Sequence, residues 1–258
     1  MANKTKISAV IITYNCSQTV EETLKALVWC DEIVIVDSGS SDQTAEICKK
    51  YTDKIYLSKF LGFGPQKQLA TQYASHDWIL SVDSDEVLSP ALQQEIQQVF
   101  SKPDIDPAGF YLPRSLVFMG KVFKYGKEAK APILRLFNRN RGGFNDSSVH
   151  ETVKIDGPAG KFKHPMLHYS DRNAEHYFEK FNRYSTLAAN AALENQKKTN
   201  KFFVITKLFI TFLITYFVWL NILNGFPGFV WSVNDAFYRF VKYLKIYEHD
   251  KASGYLPV

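Results

Sequence analysis

Ile33-Val34-Ile35-Val36-Asp37-Ser38-Gly39-Ser40-Ser41-Asp42-Gln43-Thr44 is the stretch on which the fold turns. Its first four residues are all β-branched, which suits a strand and crowds a helix. Residues 38–42 are small and polar and make a turn, and a helix follows to about residue 51. The same order recurs on both sides. Residues 7–12 read as a buried strand, followed by Val20, Leu24, Leu27 and Val28 at helical spacing. Ser17 and Thr19 are the cap candidates, and Glu22 completes a capping box with Thr19. Downstream, residues 55–57 form a weaker third strand, a helix runs from about 65 to 74, and residues 78–82 form a fourth strand. Ser89 and Pro90 then open a helix with Leu92, Ile96, Val99 and Phe100 on one face. Repetition of strand and helix implies right-handed crossovers and an α/β fold with a mostly parallel sheet.

In an open sheet of this kind ligands gather where the strands end, so the chemistry belongs to the residues just after each one. These are Thr13, Tyr14 and Asn15, then Asp37, then Asp83, Ser84 and Asp85. Three carboxylates converge on one edge. The chain of 258 residues has a formal net charge of +5, yet residues 121–141 hold seven Lys and Arg against Glu128 alone, a local +6. Something anionic is expected to meet that stretch. With 46% hydrophobic and 22% charged residues, the composition excludes a disordered or collagen-like chain.

A dinucleotide site would need G-x-G-x-x-G after the first strand, whereas Gly62-Phe63-Gly64 comes late and lacks the third glycine. The sequence contains no G-x-x-x-x-G-K-[ST] loop either. A diphosphate at this edge would then be neutralised by a hard cation on oxygen ligands, Mg²⁺ or Mn²⁺. The D-x-D spacing is weak by itself, because Asp104-Ile105-Asp106 repeats it between two prolines and reads as a solvated turn. Asp83-Ser84-Asp85 differs in following a buried strand and preceding a capped helix.

Four motifs in order, Val10-Ile-Ile-Thr-Tyr-Asn15, residues 33–44, Gly62-Phe-Gly-Pro-Gln-Lys67 and Leu80-Ser-Val-Asp-Ser-Asp-Glu86, resemble glycosyltransferase family 2. That family has the GT-A fold, a Rossmann-like mostly parallel sheet. Arg135-Leu-Phe-Asn138, Val149-His-Glu151, Leu167-His-Tyr169 and the aromatic C-terminal region resemble the bacterial subgroup that adds glucose to the inner core of lipopolysaccharide. The resemblance implies that Asp37 accepts a hydrogen bond from the uracil imide and that Thr13, Tyr14 and Asn15 shape the nucleotide pocket. Lys67, Ser84 and Arg135 would reach the nucleotide or its diphosphate. Asp83 would lie near ribose and metal, Asp85 would be the direct metal ligand and His168 an additional one. Glu151 is the proposed base for an inverting transfer, with Asp146 and Glu86 as alternatives. Simpler readings stand beside these. Asp37 could cap its own turn, Lys67 be a solvated helix lysine, His168 a hydrogen-bonded structural histidine, and Arg135 and Arg139 solvated charges.

Residues 202–247 hold 15 of the 38 aromatic residues, and residues 208–234 carry no charge. The apolar helix expected over residues 208–223 would be about 24 Å long, short of a hydrocarbon layer of about 30 Å. Residues 225–228 break it, and Ser232, Asp235, Arg239 and Lys242 then recur at amphipathic spacing. A helical hairpin lying in the membrane interface fits this pattern, and packing on the catalytic domain or another subunit is the alternative. The division expected is a donor-binding part over 1–140, an acceptor and base region over 141–200, and a C-terminal amphipathic helical extension at the membrane over 201–258. Three cysteines without a C-x-x-C pair, and an N-terminus with no secretory apolar run, point to the cytosol.

The activity expected is metal-dependent transfer from a UDP-sugar, UDP-glucose by the resemblance, to a lipid-linked lipopolysaccharide core heptose. The enzyme would be cytoplasmic and peripheral on the inner face of the membrane, and an oligomer is compatible with the sequence. The rivals are a sugar nucleotidyltransferase, which would want an Arg-bearing glycine-rich loop after the first strand, and an inactive membrane-associated nucleotide-binding protein. No nucleic-acid module is legible.

Overall fold

The computed structural model describes residues 4–102, 104–145, 151–170 and 174–252. The first stretch runs β1 (Ile7–Thr13), α1 (Val20–Lys25), β2 (Glu32–Asp37), α2 (Thr44–Cys48), β3 (Ile55–Leu57), α3 (Phe63–Tyr73), β4 (Trp78–Ser81), β5 (Glu86–Leu88) and α4 (Pro90–Phe100). Strands follow: β6 (Gly109–Phe118), β7 (Lys121–Val122), β8 (Ala131–Asn138), β9 (Gly142–Phe144), β10 (Val153–Ile155), β11 (Ala159–Lys161) and β12 (Met166–His168). Three long helices end the chain, α5 (Ala174–Glu194), α6 (Lys201–Leu213) and α7 (Phe226–Ala252). Packing divides the chain into two compact units, Met1–Ser115 with Lys130–Tyr169, and Leu116–Ala129 with Ser170–Val258. The segment after residue 140 pairs back into the sheet, and an excursion between β6 and β8 joins the helices.

The sheet of the first unit has the order β3-β2-β1-β4-β8-β6-β12-β5. β3, β2, β1 and β4 are parallel, as expected, while β4 with β8, β8 with β6 and β12 with β5 are antiparallel. The result is a mixed sheet, because β8 lies antiparallel between β4 and β6. Ala9 and Ile11 of β1 pack with Leu24, Leu80 and Leu92 on one face, and Val10 packs with Val34, Ile79, Ala70 and Phe137 on the other. Burial on both faces explains the unbroken β-branched runs. Each such side chain contributes about 1.5–3 kcal/mol relative to an exposed one. The register Thr13↔Asp37 and Val10↔Ser81 brings the ends of β1, β2 and β4 to one edge.

Two caps were expected, and one forms. Ser89 Oγ accepts from the Leu92 amide at 3.3 Å. Thr19 Oγ1 instead donates to the Cys16 carbonyl, and Glu22 pairs with Lys25 at 2.7 Å, so no capping box closes. The Asp104–Asp106 segment is a loop, as expected, and the Asp106 carbonyl accepts from Arg141 Nη1 at 2.8 Å.

In the second unit α6 and α5 pack against α7 through Ala189, Ala192, Val204, Tyr243 and Ile246. Phe118 and Phe123 dock on Trp231 of α7, with Phe118 edge-on at 5.4 Å. The apolar helix lies earlier than the sequence suggested. Helical structure runs from Lys201 through α6 and a π turn at Ile214–Val218, an 18-residue span long and apolar enough to cross a membrane. The chain breaks at Leu220, whose φ of 60° is left-handed, six residues ahead of α7. Helical propensity carries back through residues 202–207 because Asn200 caps α6, its Oδ1 accepting from the Phe203 amide at 2.9 Å.

Candidate active site

β1 and β2 stop in register at Thr13 and Asp37, and β4 runs parallel beside them and stops at Ser81, opposite Val10, so the loops after all three leave the same edge. After β2, Asp37 receives four hydrogen bonds. Its Oδ1 accepts from the Gly39 and Ser40 amides at 2.9 and 2.8 Å, and its Oδ2 from Thr13 Oγ1 and Ser40 Oγ at 2.8 and 2.6 Å. Burial alone would raise its pKa, and these donors outweigh burial and hold it below the usual carboxylate range. Asn15, at a left-handed φ of 47°, accepts from the Ser41 amide at 2.8 Å and so ties the first loop to the second. Thr13, Asn15 and Asp37 therefore organise the turn directly, and Tyr14 stands exposed beside them.

The carboxylates after β4 are gripped from three other elements. Lys67, on the second turn of α3 and only 2% exposed, bridges Asp83 Oδ1 at 2.6 Å and Glu151 Oε1 at 2.7 Å. Arg135 of β8, 3% exposed, bonds Asp83 Oδ2 and reaches Glu86 Oε1 at 3.2 Å. Arg114 of β6 adds a 3.3 Å contact to the same Glu86 oxygen. Burial would push the Asp83 pKa up, but Arg135 and Lys67 hold it far below the usual range. Removal from water would lower the Arg135 pKa, and Asp83 and Glu86 raise it instead. Neither arginine nor lysine here is a solvated charge. One Arg135 donor, the Nε hydrogen, is buried without an acceptor among the described residues.

Glu86 is fully buried, and its Oε2 accepts from the Asp83 amide at 3.0 Å. With both oxygens engaged it positions Asp83 and has no free edge for an acceptor hydroxyl. Asp146 lies outside the described residues. Glu151 keeps one oxygen clear of Lys67 and is half-buried. Ser84 turns its carbonyl to Thr23 Oγ1 at 3.1 Å, which fixes the loop from behind.

Asp85 has a different setting. β12 pairs antiparallel with β5, His168 against Glu86, and the Tyr169 amide donates to the Asp85 carbonyl at 2.9 Å. That register sets His168 Nε2 3.5 Å from Asp85 Oδ2, both partly exposed. This edge thus presents four carboxylates, Asp83, Asp85, Glu86 and Glu151, against three fixed cations. Asp85 is the one that no lysine or arginine neutralises among the described residues. A carboxylate and an imidazole suit a hard divalent cation that takes its remaining ligands from diphosphate oxygens and water. No group of three or more such donors placed to hold one ion occurs among the described residues.

The basic stretch is dispersed. Only Arg135 enters the edge. Arg139 Nη1 donates to the Thr71 and Ala74 carbonyls at 3.2 and 2.7 Å, capping the C-terminus of α3, which corrects its reading as a solvated charge. Arg114 escaped sequence reasoning, although a single charge inside an otherwise uncharged ten-residue strand was a signal for it.

The site is an acidic, cation-paired edge where the parallel strands of a mixed α/β sheet end. The family model described as Glycosyl transferase family 2 matches residues 8–154, and the chain belongs to that family, with its GT-A fold. It is similar to the lipopolysaccharide core biosynthesis glycosyltransferase LpsC of Rhizobium meliloti, at 31% identity covering 96% of this chain and 94% of LpsC. An uncharacterized glycosyltransferase of Rickettsia conorii is also 31% identical, covering 96% and 92%. Among solved structures, S. aureus TarS 1–349 gives a TM-score of 0.48 at 16% identity, covering 98% of this chain and 93% of that one.

Proposed function

We propose that the protein transfers glucose from UDP-glucose, with inversion and a divalent metal, to a heptose of a lipid-linked lipopolysaccharide core at the cytoplasmic face of the membrane. Family membership supports sugar transfer, and the likeness to LpsC along nearly the whole chain supports a core acceptor. The observation that carries the mechanism is the Lys67 bridge between Asp83 and Glu151, which joins the donor edge to a half-free carboxylate.

In this reading the loops held by Asp37 and Asn15 form the nucleoside pocket. All four acceptor positions of Asp37 are filled, so a direct bond to the uracil imide needs one vacated, and the Ser40 hydroxyl is the rotor able to do so. Asp85 and His168 would hold Mg²⁺ or Mn²⁺, which supplies charge neutralisation of the departing diphosphate. The acceptor oxygen attacks the anomeric carbon as its bond to the β-phosphate breaks. The electron pair leaves with UDP, and the hydroxyl proton passes to the free oxygen of Glu151. Lys67 fixes the other Glu151 oxygen, and Lys67 and Arg135 add positive charge where the leaving group develops negative charge.

Two measurements test this. Uridine diphosphate or UDP-glucose with Mn²⁺ is expected to raise the melting temperature, and no stabilisation by any uridine nucleotide would defeat the reading. Glu151→Gln is expected to lower kcat by about 10²–10⁴ with donor binding kept. Near-normal transfer by this variant would remove Glu151 as the base.

A further inference from the structure

Three of the basic residues in 121–141 belong to the helical unit, where they meet the hairpin turn. The Lys124 amide donates to Asn224 Oδ1 at 3.2 Å, and Asn224 Nδ2 donates to the Tyr125 carbonyl at 2.9 Å. Asn224 is fully buried, so this pair of bonds locks the loop over residues 119–129 to the turn over 219–225. The loop approaches so closely that a Cβ on Gly126, where φ is +94°, would strike the Asn221 side chain. The Lys127 ammonium lies 3.7 Å from the centre of the Trp219 ring. Lys121, Lys124 and Lys127 are all exposed.

The exposed surface of α6 and of the turn is apolar. Phe202 and Phe209 are 75% and 62% exposed on α6, and Val218, Leu220, Leu223 and Phe226 are exposed around the turn. The interior of the same hairpin is polar at its turn end. Thr215, Asn221, Asn224 and Ser232 have no exposure, and they bond to one another, to the chain or to Asp235. Gly228 lets α7 close on the Asn221 carbonyl, where any Cβ would collide. Such inverted polarity suits hydrocarbon as the outer solvent. Residues 201–234 contain no acidic residue, Asp235 bonds inward to Thr215 and pairs with Arg239, and Glu128, the one acid of the loop, is half-buried with Oε2 removed from solvent. The exposed charge of the loop and turn is therefore predominantly positive.

We infer that the hairpin and the loop over 119–129 form one surface for an anionic phospholipid bilayer. The α6 and turn side chains enter the acyl boundary, and Lys121, Lys124 and Lys127 take headgroup phosphates. A second copy of the chain is a poorer occupant, since a two-fold pair across the turn would bring like-charged lysines together. The inference rests on the membrane placement proposed above, and it adds which residues read the lipid charge.

The test is co-sedimentation of the full chain with vesicles of phosphatidylcholine alone and of phosphatidylcholine with phosphatidylglycerol. The anionic vesicles are expected to bind about 10- to 100-fold more tightly, and K121Q/K124Q/K127Q to remove that difference while melting at the same temperature. K49Q/K50Q, exposed in the other unit, is the control and is expected to change nothing. Equal binding of both vesicles, or a lipid-charge preference that survives the triple variant, overturns the lysine assignment and leaves the membrane placement standing. Binding to neither vesicle, with a dimer seen by light scattering, overturns both.

Discussion

The two units dispose of polarity in opposite ways. The sheet unit buries aliphatic strands and draws its charges into a paired cluster at one edge, so that Lys67, Arg135 and Glu86 are almost wholly removed from water. The helical unit has apolar cores of its own, but around the hairpin turn it buries hydroxyls and amides while Phe202, Phe209, Phe217 and Phe226 stay outside. Water explains the first pattern, since burying apolar area drives folding there. In the second, the same accounting would place Phe202 and Phe209 inside, and their exposure is the observation on which the proposed lipid surface rests. The contrast teaches that burial has to be read together with polarity before a surface is called solvent-facing.

Four experiments would break or sharpen this contrast. Glu86→Leu leaves Arg135 and Arg114 facing a lost partner in a buried site, and a loss of about 3–5 kcal/mol is expected by urea unfolding. A near-neutral result would mean that the cluster is not sealed from water. Acid should act next. Glu32 is buried, and burial alone would raise its pKa, yet bonds from Lys54, Ser8 and Ser75 lower it to about 2. Its folded value lies below its unfolded one, so its contribution is full above about pH 5 and is lost as pH falls toward 2. That contribution is about 2–3 kcal/mol, and Glu32→Gln should flatten the acid limb of the stability profile by that amount. A profile identical to the parent's would contradict it.

In the helical unit Asn221→Leu removes donors to the Thr215 carbonyl and an acceptor for Asn224, and a cost of about 1–3 kcal/mol is expected from thermal unfolding. Stabilisation instead would show that its interior behaves as an ordinary apolar core. The smallest effect belongs to Phe202→Ser with Phe209→Ser, expected to move stability by no more than about 0.5 kcal/mol while raising solubility without detergent. A large destabilisation would mean that these rings pack on protein.

Much of the edge was legible because it is local. β-branched runs set β1, β2 and β4, and ligands gather at the loops that leave parallel strands, so Thr13, Asn15, Asp37, Asp83 and Asp85 could be named from order alone. The partners of those residues could not. Lys67 meets Glu151 across 84 positions and Arg135 meets Asp83 across 52, and no local spacing encodes either pair. His168 reaches Asp85 only through the β5–β12 register, which depends on how a late strand returns to the sheet.

The basic stretch shows the same boundary most plainly. Its excess of positive charge is a property of composition and is legible in the sequence alone. Where each of those charges goes was decided by the tertiary structure, because this one run, 121–141, starts in the helical unit and ends in the sheet unit. Arg135 is drawn into the carboxylate cluster, Arg139 and Arg141 cap carbonyls, and Lys121, Lys124 and Lys127 are left at the hairpin turn. Alternation and helical spacing act over a few residues and are written in the chain, whereas the pairing of distant charges and the choice of solvent for a helix face depend on contacts that only the folded chain makes.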